Sequence, residues 1–435
     1  MSRETGQGGD GAGPADPNAK REARGRLAGK RPPRMAGAPV ILIMAVVVTA
    51  GWIGLNFTGE SAVVTVGASV RAHASHGWAS VSVPAVTTTR GLQSVACSST
   101  RFCVAVGSSS TIRHARSKAL LEVWNGSRWS KRETPSPAGR QFDSVSCTSP
   151  RSCVAVGNYF ATATASVPFS EIWNGKHWRV APAVKRAEPN GHFGSTLHAV
   201  SCAAPTLCIA VGDTNAPTGV LTLAEVWNGA TWTLMTTPNP PPVQRTTPLG
   251  ASNTLTDVAC PSTAACMAVG HDYNGDASKG GPITMSWSGS AWSLVTVPPS
   301  APKSTFTSVS CTAPTACEAV GSTVGAHWNG ATWTRQRNVT LATVACSSRT
   351  CQGVGTYPMK GHKTRWRMFA ERLDGKSWVK EGIAAPGKED PTPHAVSCAS
   401  RSMCMVVGNY TKKAPKSERF YTLGPYAPIA EKFSG

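Results

Sequence analysis

Fourteen cysteines stand in seven pairs: Cys97 with Cys103, Cys147 with Cys153, Cys202 with Cys208, Cys260 with Cys266, Cys311 with Cys317, Cys346 with Cys351, and Cys398 with Cys404. Five residues separate the two members of each pair (four between Cys346 and Cys351), and each pair opens a phrase close to Val-Ala-Val-Gly. Such thiols can pair as disulfides or share a metal. Structural zinc favours tighter Cys-x(2–4)-Cys pairs and four ligands, so seven disulfides are the expected chemistry. No Cys-x-x-Cys motif points to redox work. A reducing cytosol would hold these thiols apart, which places the repeats outside it.

Three other sets of residues have types suited to binding or catalysis. Gln93, Asp143, His198, Thr256, Thr307, Ala342 and His394 occupy one place in successive repeats, four residues before the first cysteine. Asp143 and His198 fall in adjacent repeats, where a carboxylate and an imidazole can serve as metal ligand or general base, or simply as a satisfied polar lining. Asp272-x-Asn274-x-Asp276 offers alternate oxygens as a calcium loop does, yet it lacks the distal glutamate and misplaces its glycine. No metal or cofactor is therefore expected. Three loops are basic with aromatics among the charges: Arg113, Arg116 and Lys118; Tyr357, Lys360, Lys363, Arg365, Trp366 and Arg367; and Tyr410, Lys412, Lys413 and Lys416. This mixture suits an anionic glycan, another envelope polymer or an acidic protein surface. The formal net charge of +20 points the same way. No nucleic-acid motif accompanies it.

The elements that must position these residues recur with the cysteines. Leu197–Cys202 alternates as a strand, Cys208–Gly212 follows as a second, Leu223–Trp227 as a third and Trp232–Thr236 as a fourth. Asn228-Gly229 between the last two is a strong hairpin turn. Seven such units without helical periodicity predict an all-β, seven-bladed β-propeller of four-stranded antiparallel blades, with one disulfide inside each. The last repeat lacks its second tryptophan, while Gly77-Trp78-Ala79-Ser80 looks like a fourth strand. Residues 77–84 are thus expected to supply the outer strand of the last blade, with Pro425–Gly435 as a broken tail. Closing the ring places the three basic loops side by side.

Upstream of the repeats the chain changes character. Residues 1–34 read as a disordered basic cytoplasmic tail and 35–57 as a single transmembrane signal-anchor helix. Residues 58–76 then form a linker to a propeller over 77–435. Cleavage and secretion are the alternative, although Ala72-His73-Ala74 lies far beyond the apolar run. A monomer is expected.

The turn Trp-Asn-Gly-x-x-Trp, as in Trp124 to Trp129, and its variant Leu373-Asp374-Gly375-Lys376-Ser377-Trp378 resemble the Asp-box of sialidase-like and photosystem-stability-factor-like propellers. Together with Cys-x5-Cys-x-Ala-Val-Gly, the pattern also resembles repeat proteins of bacterial envelopes. The resemblance implies a propeller, and no defined activity comes with it. A non-catalytic binding module on an extracytoplasmic membrane anchor is the expected function. A sialidase-like or other glycoside hydrolase and a structural assembly scaffold are the alternatives. A hydrolase would need a raised-pKa acid facing a second carboxylate or a tyrosine.

Overall fold

Side chains that alternate between two apolar faces account for the architecture. A computed structural model describes residues 77–84, 90–109, 117–161, 165–182, 184, 194–240, 251–272, 281–297, 304–336, 339–348, 350–360, 365–383, 389–411 and 426–435. Every regular element among them is a strand. No helix of the described residues is long and apolar enough to cross a membrane, and the expected tail, anchor and linker at 1–76 lie outside those residues.

Within each repeat the strands pair antiparallel in chain order, as in Ser195–Ala204, Leu207–Ala216, Gly219–Trp227 and Trp232–Met235. The expected count of seven separate blades is corrected. Five blades stand as four-stranded sheets, while the third and fourth repeats share one eight-stranded sheet. Their join is a short parallel bridge, Gly219↔Ala251 and Val220↔Ser252, made where two strands overshoot the blade and meet.

Register explains the repeated phrases. Each cysteine pair bridges the first hairpin of its repeat, and all seven expected disulfides are present. Cys97 is bonded to Cys103, Cys147 to Cys153, Cys202 to Cys208 and Cys260 to Cys266. Cys311 is bonded to Cys317, Cys346 to Cys351 and Cys398 to Cys404. The second cysteine of the pair faces the third-strand tryptophan: Cys103 faces Trp124, Cys208 faces Trp227, Cys266 faces Trp287 and Cys317 faces Trp328. In the sixth repeat Cys351 faces Leu373, the residue that replaces that tryptophan in the variant turn. Elsewhere the tryptophan meets the next one across the turn, with ring centroids 5.8 Å apart for Trp124 and Trp129. In the turn, Asn125 Oδ1 accepts from the N–H groups of Ser127 and Arg128, while Gly126 takes φ +100°.

First strands expose one row of N–H groups that no neighbouring strand covers. Serines of the preceding repeat accept from them. Val145 N donates to Ser94 Oγ at 3.2 Å, and Cys202 N donates to Ser146 Oγ at 3.0 Å. The same bond closes the ring, since Cys97 N donates to Ser397 Oγ at 2.9 Å. Met403, Met405 and Val407 of the last repeat pack with Leu92, Val95 and Trp124 of the first.

The last sheet runs Gly77–Val81, Tyr426–Ser434, Met403–Thr411, Glu389–Ser400. The broken tail is therefore corrected: it forms the third strand. Phe433 stands opposite Cys404, where other repeats place tryptophan, and packs on Trp78 at 5.4 Å. Pro428 is tolerated because Gly77–Val81 reaches only as far as Ala430, leaving that stretch at an edge.

Two residues before the tryptophan position, Glu122, Glu171, Glu225, Glu371 and Glu431 are all buried. Ser136 donates to Glu171, and Ser80 Oγ donates to Glu431 at 2.6 Å. Glu122 has no hydrogen-bond partner among the described residues, and burial pushes its carboxyl up to about 7 against the pull of Lys131. A carboxyl raised this way penalises the fold above its folded pKa and relieves it as pH falls toward 4.5. His394, pulled down to about 4 by burial and then by Arg90, acts oppositely and costs stability below 6.5. The Glu122 penalty should therefore shrink as pH falls from about 7 toward 4.5, while the His394 cost grows from 6.5 toward 4. Glu122→Gln should stabilise by roughly 2 kcal/mol at pH 8 and by little at pH 5. A flat pH profile for the variant difference would refute the assignment.

Candidate functional site

First strands do not run straight into the axis. The register slips between Leu92 and Ser94, Phe142 and Ser144, Leu197 and Ala199, Leu255 and Asp257, and Pro393 and Ala395. The residue skipped each time is Gln93, Asp143, His198, Thr256 or His394, so each sits on a β-bulge, a device that re-aims a side chain. All five, with Thr307, line a cavity of about 370 Å3 to which all seven repeats contribute. The bulge also explains the repeated glycine. A Cβ at Gly107, Gly157, Gly212 or Gly270 would run into the first-strand carbonyl of Gly91, Gln141, Thr196 or Thr254.

Asp143, His198 and His394, singled out from the sequence, thus share one axial lining. Arg90 and Asp213 join them. The Arg90 guanidinium donates to Gln141 Oε1 at 2.5 Å and lies 3.6 Å from Asp143 Oδ1. Gln141 donates to Asn158 Oδ1 at 2.8 Å, and Asn158 donates to Asp143 Oδ2 at 2.7 Å. His198 Nε2 lies 2.6 Å from Asp213 Oδ2. Asn409 Nδ2 contacts His394 Nε2 at 3.1 Å and also donates to the Arg90 carbonyl. Gln93 donates to that same carbonyl at 2.9 Å. Arg90 therefore ties the seventh, first and second repeats together at the closure of the ring.

The charges are coupled across repeats. Burial pushes the Asp143 carboxyl up to about 6, against the pull of Arg90 and His198. Burial pulls the His198 imidazole down, but the hydrogen bond and charge of Asp213, with the charge of Asp143, outweigh it and the net direction is up. Deeper in the cavity Asp257, raised to about 6 by burial, accepts from Val309 N at 2.9 Å and Val258 N at 2.8 Å. This lining presents donors and acceptors of both signs within a narrow mouth. Such a surface can orient a polar ligand carrying ammonium, carboxylate or amide groups. Among the described residues no cluster of His, Cys, Asp and Glu could hold a metal ion.

Arg90 and Asp213 escaped sequence reading for identifiable reasons. Arg90 lies in the closing link, outside the repeated phrases. Asp213 follows the repeated glycine, where every repeat is polar: Ser108, Asn158, Asp213, His271, Ser322, Thr356 and Asn409. That second polar ring was the available signal.

The basic loops are only partly described. Arg113, Arg116, Lys363, Lys412, Lys413 and Lys416 lie outside the described residues, as do Asn274 and Asp276. Lys118, Lys360, Arg365 and Arg367 are exposed. Tyr357 pairs across strands with Arg367, and Pro358 with Trp366; the two aromatics keep 46% and 42% of their surface exposed. Tyr410 instead packs against the core formed by Met368, Val406 and Ile429.

Neither family models nor curated protein sequences match the chain. Solved structures do match in shape. A structure of YCF48 bound to D1 peptide aligns with a TM-score of 0.50 at 12% identity, covering 82% of this chain and 95% of that one. A Dyadobacter fermentans protein of unknown function aligns at 0.45 and 9% identity, covering 82% and 100%. Sqt1 of Chaetomium thermophilum, bound to the N-terminus of ribosomal protein L10, aligns at 0.42 and 8%, covering 81% and 98%. The last two are too loose to weigh. The class defined is a disulfide-braced, all-β propeller with a polar axial mouth. Within it, the chain is similar to the YCF48 propeller in fold.

Proposed function

We propose that this protein is a non-catalytic binding module that holds a polar peptide segment of a protein partner at the axial mouth. The observation that carries this reading is the bulged ring itself: five repeats spend ladder pairing to aim Gln93, Asp143, His198, Thr256 and His394 at one axis. Mixed charge there suits peptide amides and side chains better than a uniform polyanion. That a propeller of the same fold, YCF48, is found with a peptide agrees with the reading without carrying it. For the hydrolase alternative, Asp143 is held by Asn158 and Asp213 by His198, an arrangement that does not favour a free acid and an opposed nucleophile. The seven bridges and the charge pattern of residues 1–57 support an extracytoplasmic propeller on an N-terminal anchor.

Random-peptide display against the full chain should enrich polar sequences. Their affinity should fall at least tenfold in an Asp143→Asn/His198→Gln double variant of unchanged thermal midpoint. The same peptides should label intact cells carrying the full chain. Enriched peptides indifferent to the double variant would remove the mouth as the site, and labelling only after permeabilisation would remove the topology. A second reading, an acidic glycan on the exposed Tyr357–Trp366 hairpin, is favoured by Lys360, Arg365 and Arg367 around those rings. It requires that reversing those three charges abolish retention on an acidic polysaccharide resin.

A further inference from the structure

The junctions between consecutive repeats are filled by apolar cores. In six of the seven, a residue at or beyond the end of the outer strand takes part: Val83, Val184, Met235, Val297, Val339 and Ile383. The core between the first and second repeats draws nothing from its link. There the chain after Trp129 reads Ser130-Lys131-Arg132-Glu133-Thr134-Pro135, and the Thr134 hydroxyl accepts from Ser136 N at 3.3 Å. At the matching place, five residues past the outer-strand tryptophan, three other repeats carry Val83, Val297 and Ile383, and the repeat with Thr237 there reaches its core through Met235.

A cleft of about 650 Å3 remains, walled by Phe102, Val104, Val123, Trp173 and Trp178. Its rim carries Arg132, Lys176 and His177 against one carboxylate, Glu133, and all four are exposed. Apolar walls of this size accept a small-molecule body, and a rim with an excess of cationic side chains accepts an anionic head. We propose that this cleft binds a small amphiphilic anion of the fatty-acid type, whose chain takes the place of the missing apolar plug. The site is separate from the axial mouth and does not depend on the function assigned there. Each methylene added to the chain strengthens binding, up to about fourfold, until the cleft is full.

Calorimetric titration of the full chain with dodecanoate below its micelle concentration tests this. One saturable site is expected, with octanoate at least tenfold weaker. Arg132→Glu/Lys176→Glu, at exposed positions, should weaken dodecanoate at least tenfold. Val123→Phe, which fills the cleft, should abolish binding while the disulfides and thermal midpoint persist. Should Val123→Phe fold poorly, the charge-reversed variant and the chain-length series still decide. Absence of saturation in the native chain, or equal affinity in the charge-reversed variant, overturns the proposal.

Discussion

Complete reduction is expected to unfold this protein at neutral pH and moderate temperature, without added denaturant. Each bridge joins residues five or six apart in sequence, so loop closure is worth only about 2 kcal/mol apiece. Seven bridges nevertheless act on one cooperative ring, and net stabilities of domains are only about 5–15 kcal/mol. The cysteines that face the third strand are also core residues: Cys103, Cys153, Cys208, Cys266, Cys317, Cys351 and Cys404 are all buried. Reduction thus opens packing as well as removing a constraint. Circular dichroism with increasing thiol reductant, followed by mass mapping of alkylated cysteines, measures this. Retention of the thermal midpoint within a few degrees after all fourteen thiols are free would refute a stabilising role for the bridges.

The second large effect is expected from a single methyl group. Gly212→Ala places a Cβ on the Thr196 carbonyl, a backbone atom that cannot swing aside. Relief requires the first and second strands to part at the bulge that holds His198. The expected cost is about 3 kcal/mol, with a thermal midpoint lower by several degrees. The His198–Asp213 contact should loosen with it, moving the His198 titration toward lower pH, because the hydrogen bond and charge of Asp213 support the protonated ring. Gly382→Ala is the control: nothing lies within 4 Å of a Cβ there, and the change should stay within about 0.5 kcal/mol. Equal midpoints for the two variants would show that the repeated glycine is not set by the bulge.

Both predictions join what was readable in sequence to what was not. The cysteine spacing, the Trp-Asn-Gly-x-x-Trp turn and the alternation of apolar residues were local signals, and local signals specify hairpins. They yielded the four-stranded antiparallel unit and each disulfide partner, since both cysteines belong to one hairpin. They did not show that the third and fourth repeats merge through Gly219–Val220, because that bridge depends on how far two strands overshoot. Nor did they identify Tyr426–Ser434 as a strand, because Pro425, Pro428 and the lack of tryptophan obscured a register that Phe433 restores by packing on Trp78.

The candidate sites divide along the same line. The polar place in each first strand was visible as a column in the repeat, which is why Asp143, His198 and His394 could be named from sequence. Arg90 reaches Gln141 and Asp143 only because consecutive repeats stand side by side, and its carbonyl meets Asn409 only because the ring closes. The unplugged cleft is subtler still, for Thr134 differs from Val83 and Val297 by one hydroxyl, and the difference matters only where two sheets face each other. Sequence by itself determined the repeating hairpins and their oxidised pairs, since those interactions lie within a few residues of chain. Tertiary structure alone decided which polar groups meet at the axis and which junction stays open, because these depend on how separate repeats pack against one another.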